Sequence, residues 1–367
     1  MTTISERLRG LGKFITLAGT QDGDDLELKA EILSTHTAEL FNAAVARAVD
    51  LLRAGDVVAL PTETVYGLAA NALDQRAVAR IFEIKGRPEH NPIIVHVASV
   101  DMARRCVVDW PPLADALARA FWPGPLTMVL PRSKEIPDVV TAGGGTVGVR
   151  WPSHPFIQAV IRQCGFPLAA PSANPSNQVS PTNAAHVSRS LGDKLSIIVD
   201  GGQSQVGIES TVLDLSINPP RILRPGMIHG ESLRAAVADG GLSLETDGSA
   251  HNAGGPLRSP GRLLKHYSPR ALLEMLSWRD DKDLRSQISK RNWAIGGVHI
   301  IAHTVIPTGG GFGRVSVIPH DAEAFARAIY AELHLCDETG AQRIIVEVLP
   351  QTNEWQAIAD RLKRASS

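Results

Sequence analysis

Cysteine is scarce in this 367-residue chain: Cys106, Cys164 and Cys336 stand far apart. No pair has the spacing of a zinc motif, and an odd, dispersed set argues against a disulfide scaffold. An excess of charge of one sign is also missing. The 37 Lys and Arg against 38 Asp and Glu leave a formal charge of -1, and aromatic residues are only 5%. A polycationic coat for nucleic acid is therefore not expected, although a local basic pocket is compatible with a neutral whole. No run approaches about 18 uncharged apolar residues, which excludes a transmembrane helix. The opening MTTISERLRGLGKF has no apolar core before a small-residue cleavage site, so no signal peptide is read there. The expectation is a soluble, cytoplasmic protein without a membrane partner.

Several familiar signatures are absent too. Gly143-Gly144-Gly145 and Gly309-Gly310-Gly311 are followed by no Lys-Ser/Thr pair and match no G-x-G-x-x-G, so they read as flexible turns. There is no G-x-S-x-G elbow, and the Asp, Glu and His spacing suggests no protein-bound metal. What is present is ample core material. Hydrophobic residues are 44% and charged ones 20%, far from a disordered profile. The length predicts two domains plus extras. The 32 glycines and 24 prolines point to many shaped loops, which an α/β enzyme uses to hold ligands.

Residues 1–37 read as an extension whose acidic run Gln21–Leu33 could be a short strand or a loosely attached arm. From Ala38, apolar residues at helical spacing run to Leu52, with Gly55 as a plausible stop. Further helices are predicted at Gln75–Phe82, Leu113–Phe121, Pro155–Cys164 and Thr182–Leu191. Strands are predicted at Ile93–Val97, Thr127–Leu130, Val147–Arg150, Leu168–Ala170, Ile197–Val199 and Thr211–Leu215. Several of these runs are apolar throughout, as expected of strands covered on both faces. Strands and helices do not alternate cleanly, so a mixed twisted sheet is predicted. Residues 229–269 hold one short helix candidate and a Gly/Ser/Pro/Asn-rich stretch, the best linker in the chain. The remainder, 270–367, resumes α/β patterning, with strands in Trp293–Val305, Arg314–Ile318 and Arg343–Leu349. A helical stripe runs from Ala322 to Leu335. On a final helix, Arg361, Lys363 and Arg364 suit the C-terminal dipole.

Polar residues gather at the ends of the predicted strands. Lys85-Gly86-Arg87-Pro88 puts two cations one residue apart in a shaped loop, where both could reach one anion, or where they could simply be solvated. His96 ends the next apolar run and could be a satisfied core residue or a site residue. Pro171-Ser172-Ala173-Asn174 offers two short hydrogen-bonding groups after a strand, in a sequence that also suits a plain turn. Pro61-Thr62-Glu63-Thr64-Val65-Tyr66-Gly67 interrupts a buried stretch with polar groups. Arg150 and Arg224 follow strands, and Gly207-Ile208-Glu209-Ser210-Thr211 precedes one. In α/β folds a single cleft is assembled in this way.

The ordered motifs carry a resemblance. LPTETVYGLAANA (60–72), KGRPEHNPIIVHV (85–97), FWPGPLTMVL (121–130), VGVRWPSH (147–154), PLAAPSANPSNQVSPTNAAHV (167–187), IIVDGG (197–202), VGIESTVLDL (206–215) and ILRPGMI (222–228) resemble the YrdC-type domain of L-threonylcarbamoyladenylate synthases. SPGRLLKHYSP (259–269) and QAIADRLKRA (356–365) are similar to the linker and the closing segment of the family's long, two-domain form. Two departures stand out: Asn177 where a glycine is usual, and Arg262-Leu263-Leu264 in place of a Met-Lys-Tyr pattern.

The resemblance implies a twisted mixed α/β sheet around a basic cavity over 38–228, a linker over 229–269, and a smaller Rossmann-like α/β domain over 270–367. It implies synthesis of threonylcarbamoyl-AMP from L-threonine, bicarbonate and ATP with release of pyrophosphate. Magnesium would ride in with ATP, and the product would pass to a separate threonylcarbamoyl transferase complex that modifies tRNA. Stable nucleic-acid binding is not expected. By the family's motifs, Lys85, Arg87, Ser172 and Asn174 are the expected catalytic residues. Thr62, Arg87, His96 and Arg150 would bind threonine. Lys85, Ser172, Asn174, Ser210 and Arg224 would bind ATP, and His266 and Tyr267 would form a lid that shields a hydrolysable adenylate. A hydrogenase-maturation carbamoyltransferase would carry Cys-x-x-Cys zinc segments that this chain lacks. A non-catalytic RNA-binding module is the remaining rival.

Overall fold

The computed structural model describes residues 30–237, 245–246 and 266–367. Of the linker motif at 259–269, only 266–269 fall among these, so the Arg262-Leu263-Leu264 departure lies outside the described residues.

Short apolar strands with helices on their flanks build one large mixed sheet. Across it run Glu31–Ser34, Ile197–Asp200, Val58–Leu60, Gly67–Asn71, Leu168–Ala169, Val95–His96, Thr146–Arg150, Leu126–Pro131, Thr211–Asp214, Arg221–Arg224 and Glu245–Thr246. Val58–Leu60 pairs antiparallel with Gly67–Asn71, whereas Val95–His96 pairs parallel with Thr146–Arg150. The large sheet and its core reach past both ends of the expected 38–228. The strand Glu31–Ser34 pairs in parallel with Ile197–Asp200, so the sheet begins inside the 1–37 extension. Leu233, on the helix Gly230–Ala235, is buried in the first core, so the start of the 229–269 stretch belongs to this domain.

The second domain has four parallel strands in the order Leu272–Leu276, Arg343–Glu347, Val298–Ala302, Arg314–Val317. The helices Asp281–Lys290, Ala322–Glu338 and Gln356–Ala365 flank the sheet. This is the smaller Rossmann-like unit. Its core does not stop at the domain boundary: Val65, Val179 and Ile208 of the first domain share one cluster with Tyr267, Phe325, Ile329 and Tyr330.

Local chemistry sets the helix ends that matter for function. Helix Gln75–Lys85 starts where the Asp74 side chain accepts from the Arg76 and Ala77 amides, a cap worth about 1 kcal/mol. Ala77, Val78, Ile81, Phe82 and Lys85 make its buried stripe, so Lys85 points inward with the apolar residues. Gly86 then takes φ 58, left-handed, a conformation that costs any residue with a Cβ. The three cysteines are free and buried; burial pushes the Cys106 and Cys336 thiols up to about 12. Among the described residues no helix is long and apolar enough to cross a membrane.

Candidate active site

Two loops close on each other to form the floor of a cleft. The Leu68 amide donates to the Pro171 carbonyl at 2.7 Å and the Ala173 amide to the Tyr66 carbonyl at 2.8 Å. Gly67 bridges Ser172 antiparallel. A Cβ on Gly67 would stand 3.4 Å from that of Ala170 and 3.7 Å from the Pro171 carbonyl oxygen, in van der Waals contact with the second loop. The PTETVYG and PSAN segments are thus one structural unit. Within it the Thr62 hydroxyl staples its own turn, donating to the Val65 carbonyl at 2.6 Å and accepting from the Thr64 and Val65 amides.

Above this floor lies a cleft of about 560 Å³. Thr62, His96, Ser172 and Ser210 supply neutral polar groups to its walls, and Arg87, Arg150 and Arg224 supply cations. His266 and Tyr267 also line it.

Each arginine is held by specific partners. Arg87 donates from Nε to the Asn91 carbonyl at 3.0 Å and from Nη2 to the Pro92 carbonyl at 2.6 Å. Burial, with Arg224 close by, brings it down to about 10, so it remains charged at neutral pH. Arg150 meets Glu63 at 2.7 Å, with both side chains buried. It also donates to Thr64 Oγ1 at 2.9 Å and to the Gly124 carbonyl at 3.3 Å. Arg224 donates to the carbonyl and hydroxyl of Ser210, each at 3.1 Å. That hydroxyl also contacts Thr127 Oγ1 at 2.8 Å.

Lys85 and Asn174 sit behind the wall. The Lys85 ammonium donates to the Ser172 carbonyl at 2.5 Å and also to the Asn174 carbonyl. Burial first, and Arg87 second, push its pKa well below the ordinary lysine value. The Asn174 amide donates to the Pro175 and Gln178 carbonyls, both at 2.8 Å. The two cations of the Lys85-Gly86-Arg87 element therefore part company. Lys85 ends a helix, and the left-handed Gly86 turns Arg87 into the cleft while Lys85 clasps the Ser-x-Asn loop from below.

His96 is neutral here: burial and the adjacent Arg150 push it down to about 3. Its ring Nδ1 has no hydrogen-bond partner among the described residues. The segment 266–268 is tied at both ends, by the His266 amide to the Arg364 carbonyl at 3.2 Å and by the Ser268 amide to the Asn177 carbonyl at 2.8 Å. Asn177 is left-handed at φ 68, so the departure from glycine keeps the turn. Tyr267, also left-handed at φ 62, is a bulky residue in a conformation that needs outside support.

Three residues escaped the sequence reading. Glu63 and Glu209 lay inside motifs but received no role, although each is a buried partner of an arginine. Arg361, read as a dipole cation, is only 1% exposed. The signal was there: Ala357, Ile358, Arg361, Leu362 and Ala365 form one helical face.

Residues 50–226 match the family model described as "Telomere recombination", and 228–367 match "Threonylcarbamoyl-AMP synthase, C-terminal domain". A Pyrococcus abyssi threonylcarbamoyl-AMP synthase is 37% identical over 326 residues, covering 87% of this chain and 93% of that protein. The Bacillus subtilis protein of the same name is 39% identical over 331 residues, covering 88% and 92%. The crystal structure of P. abyssi Sua5 complexed with L-threonine superposes with a TM-score of 0.82 at 35% identity, covering 92% of this chain and 97% of that one.

Proposed function

The chain belongs to the threonylcarbamoyl-AMP synthase family in its long two-domain form, and on that premise we propose that the cleft between Arg87, Arg150 and Arg224 is its adenylation site. The activity is synthesis of threonylcarbamoyl-AMP from L-threonine, bicarbonate and ATP for tRNA modification. One observation carries the assignment to this cleft. Three buried arginines from different elements converge on one space that neutral hydroxyls also line.

The chemistry asks for such a space. The threonine amine and bicarbonate combine to a carbamate with loss of water. A carbamate oxygen then attacks the α-phosphorus, the bond to the bridging oxygen breaks, and its electron pair leaves with pyrophosphate. An anion approaches an anion, and fixed cations offset that repulsion without reorganising. Arg87 stands for the carbamate and phosphate side. Thr62, His96 and Arg150 stand for threonine, with Arg150 toward its carboxylate. Ser210 and Arg224 hold the nucleotide side, and Ser172 presents its hydroxyl to the reacting group. Lys85 and Asn174 act through the loop they clasp. Magnesium would arrive on the triphosphate. Glu209, which lines the cleft, and Glu63 are engaged by Arg361 and Arg150, so the ion would be held by phosphate oxygens. The product would pass to a separate transferase.

Arg224→Lys tests the division of labour. It loses the forked contact to Ser210 and is expected to raise the KM for ATP about tenfold while the KM for threonine holds. A rise confined to threonine would reverse the assignment.

His266 and Tyr267 are proposed as the lid, and the lid is pH-sensitive. Burial, with Arg87, Lys85 and Arg224 nearby and Glu209 opposing, pushes His266 down to about 3 in the closed form. A released histidine titrates near 6.5. Since the closed form cannot take the proton, closure weakens as pH falls below about 6.5, by about tenfold at pH 5.5. Hydrogen exchange at the Ser268 amide, corrected for intrinsic rate, should show that loss of protection between pH 7.5 and 5.5. His266→Asn should abolish it; equal pH dependence in both proteins would contradict the lid account.

A further inference from the structure

A residue of the C-terminal domain reaches the wall of the cleft. Arg361, on helix Gln356–Ala365, donates from Nε to Glu209 Oε2 at 2.8 Å, from Nη2 to the Glu209 carbonyl at 3.4 Å, and from Nη1 to Asp360 at 2.8 Å. Tyr330, on helix Ala322–Glu338, donates to the same Oε2 at 3.1 Å, and Ser180 donates to Oε1 at 2.6 Å. Burial pushes the Glu209 carboxyl up, but Arg361 first and Arg224 next hold it below the ordinary range. The residue after Glu209 is Ser210, which Arg224 grips twice.

The same guanidinium supports the cover. It lies 5.4 Å from the centroid of the Tyr267 ring, which in turn stacks on Tyr330 at 6.0 Å and 28°. The left-handed Tyr267 is therefore backed by two side chains of the C-terminal domain. The docking is close enough to fix these positions. A Cβ on Gly207 would lie 2.4 Å from the Ala326 carbonyl oxygen and 2.5 Å from the Arg327 Cα.

We infer that Arg361 is a positioning residue for adenylation: it sets the Glu209-Ser210 turn against Arg224 and holds Tyr267 over the cleft. The inference rests on the reading of the cleft as the adenylation site. A planar fork can bind a carboxylate and a carbonyl while lying against a ring, which an ammonium cannot do. Both Glu209 carboxylate oxygens are hydrogen-bonded, and a buried carboxylate satisfied in this way fixes the geometry around it. It follows that the C-terminal domain, through Arg361, governs how well the cleft excludes water from the adenylate, whose hydrolysis gives AMP and the carbamate.

The test uses the full chain and reads kcat, the ratio of AMP to threonylcarbamoyl-AMP, and thermal melting. Arg361→Gln is expected to stay folded, lose about fivefold in kcat and raise the AMP ratio about fivefold, the size of coupling carried by a packed network. Arg361→Lys should recover part of each. Tyr267→Ala/Arg361→Gln should leak no more than Tyr267→Ala alone. A folded Arg361→Gln with parental kcat and ratio, or leaks that multiply in the double variant, overturns the inference. If Arg361→Gln does not fold, Glu209→Gln/Arg361→Met, which removes both charges, takes its place. Folding with a raised leak supports positioning; folding with a parental ratio, or no folding, makes the pair a structural fastener and overturns it. A parent that makes no product from threonine, bicarbonate and ATP would instead sink the reading of the cleft.

Discussion

Replacing Arg87 by alanine should slow threonylcarbamoyl-AMP formation by about a hundred- to a thousandfold at saturating substrates, the loss typical of removing a preorganised charge donor. Arg87 is 8% exposed and anchored by two backbone carbonyls, so its remaining N–H groups are aimed before substrate arrives. Even with its pKa lowered to about 10, the guanidinium keeps its charge across the working pH range. Arg87→Lys restores charge but not the fork, and it should recover only part of the rate. The alanine variant also loses its bonds to Asn91 and Pro92, at a cost of about 1–3 kcal/mol. Urea unfolding beside single-turnover rates separates that cost from the chemistry. A rate within a few-fold of the parent, in a folded variant, would remove Arg87 from the reaction.

Arg150→Met should destabilise the first domain by about 3–5 kcal/mol, because it strands a buried carboxylate. Glu63 is held below the ordinary range because Arg150 first, with backbone hydrogen bonds from Ser153 and Glu63 itself, outweighs the burial that pushes it up. With the folded pKa depressed, the stability it contributes is present above the unfolded value near 4.5 and fades as pH falls through the folded value. In Arg150→Met burial is left to dominate and pushes the Glu63 carboxyl up, so the loss of stability should be largest near neutral pH and shrink as pH falls through that raised value. Adding Glu63→Gln should return most of the stability, since replacing both partners of a buried pair is often close to neutral. Threonine binding should stay lost in the double variant. Chemical unfolding and threonine titration on all three proteins check both halves. Full threonine affinity in the double variant would assign its carboxylate elsewhere.

The parts legible in the sequence were those with local causes. Helix Pro155–Cys164 was read to the residue because a proline at its first turn and a glycine after it mark both ends. Helix Gln75–Lys85 ran three residues beyond the expected Phe82, since the stripe rule treats lysine as a polar stop although here it continues the buried face. The strand predicted over Ile93–Val97 shrinks to Val95–His96, because Ile93 bonds to the Val140 carbonyl, outside the sheet. Strand Leu272–Leu276 and helix Asp281–Lys290 went unassigned, the helix because its apolar stripe is thin, with only Leu284 and Ile288 buried.

At the site, the motif positions bring Thr62, Arg87, His96, Arg150, Ser172, Ser210 and Arg224 to one cleft. What could not be read was which atoms face it. The inward turn of Lys85 depends on a left-handed glycine and two carbonyls 87 and 89 positions away. The pairing of Glu209 with Arg361 spans 152 positions, a separation at which spacing carries no information about contact.

The most direct test of the account is to supply purified protein with ATP, magnesium, L-threonine and carbon-13 bicarbonate, without tRNA or any other protein, and to follow the products by mass spectrometry. The account predicts threonylcarbamoyl-AMP carrying the label, pyrophosphate in equal amount, and no adduct when any of the three substrates is withheld. Folded protein that binds ATP but forms no labelled adduct would contradict it.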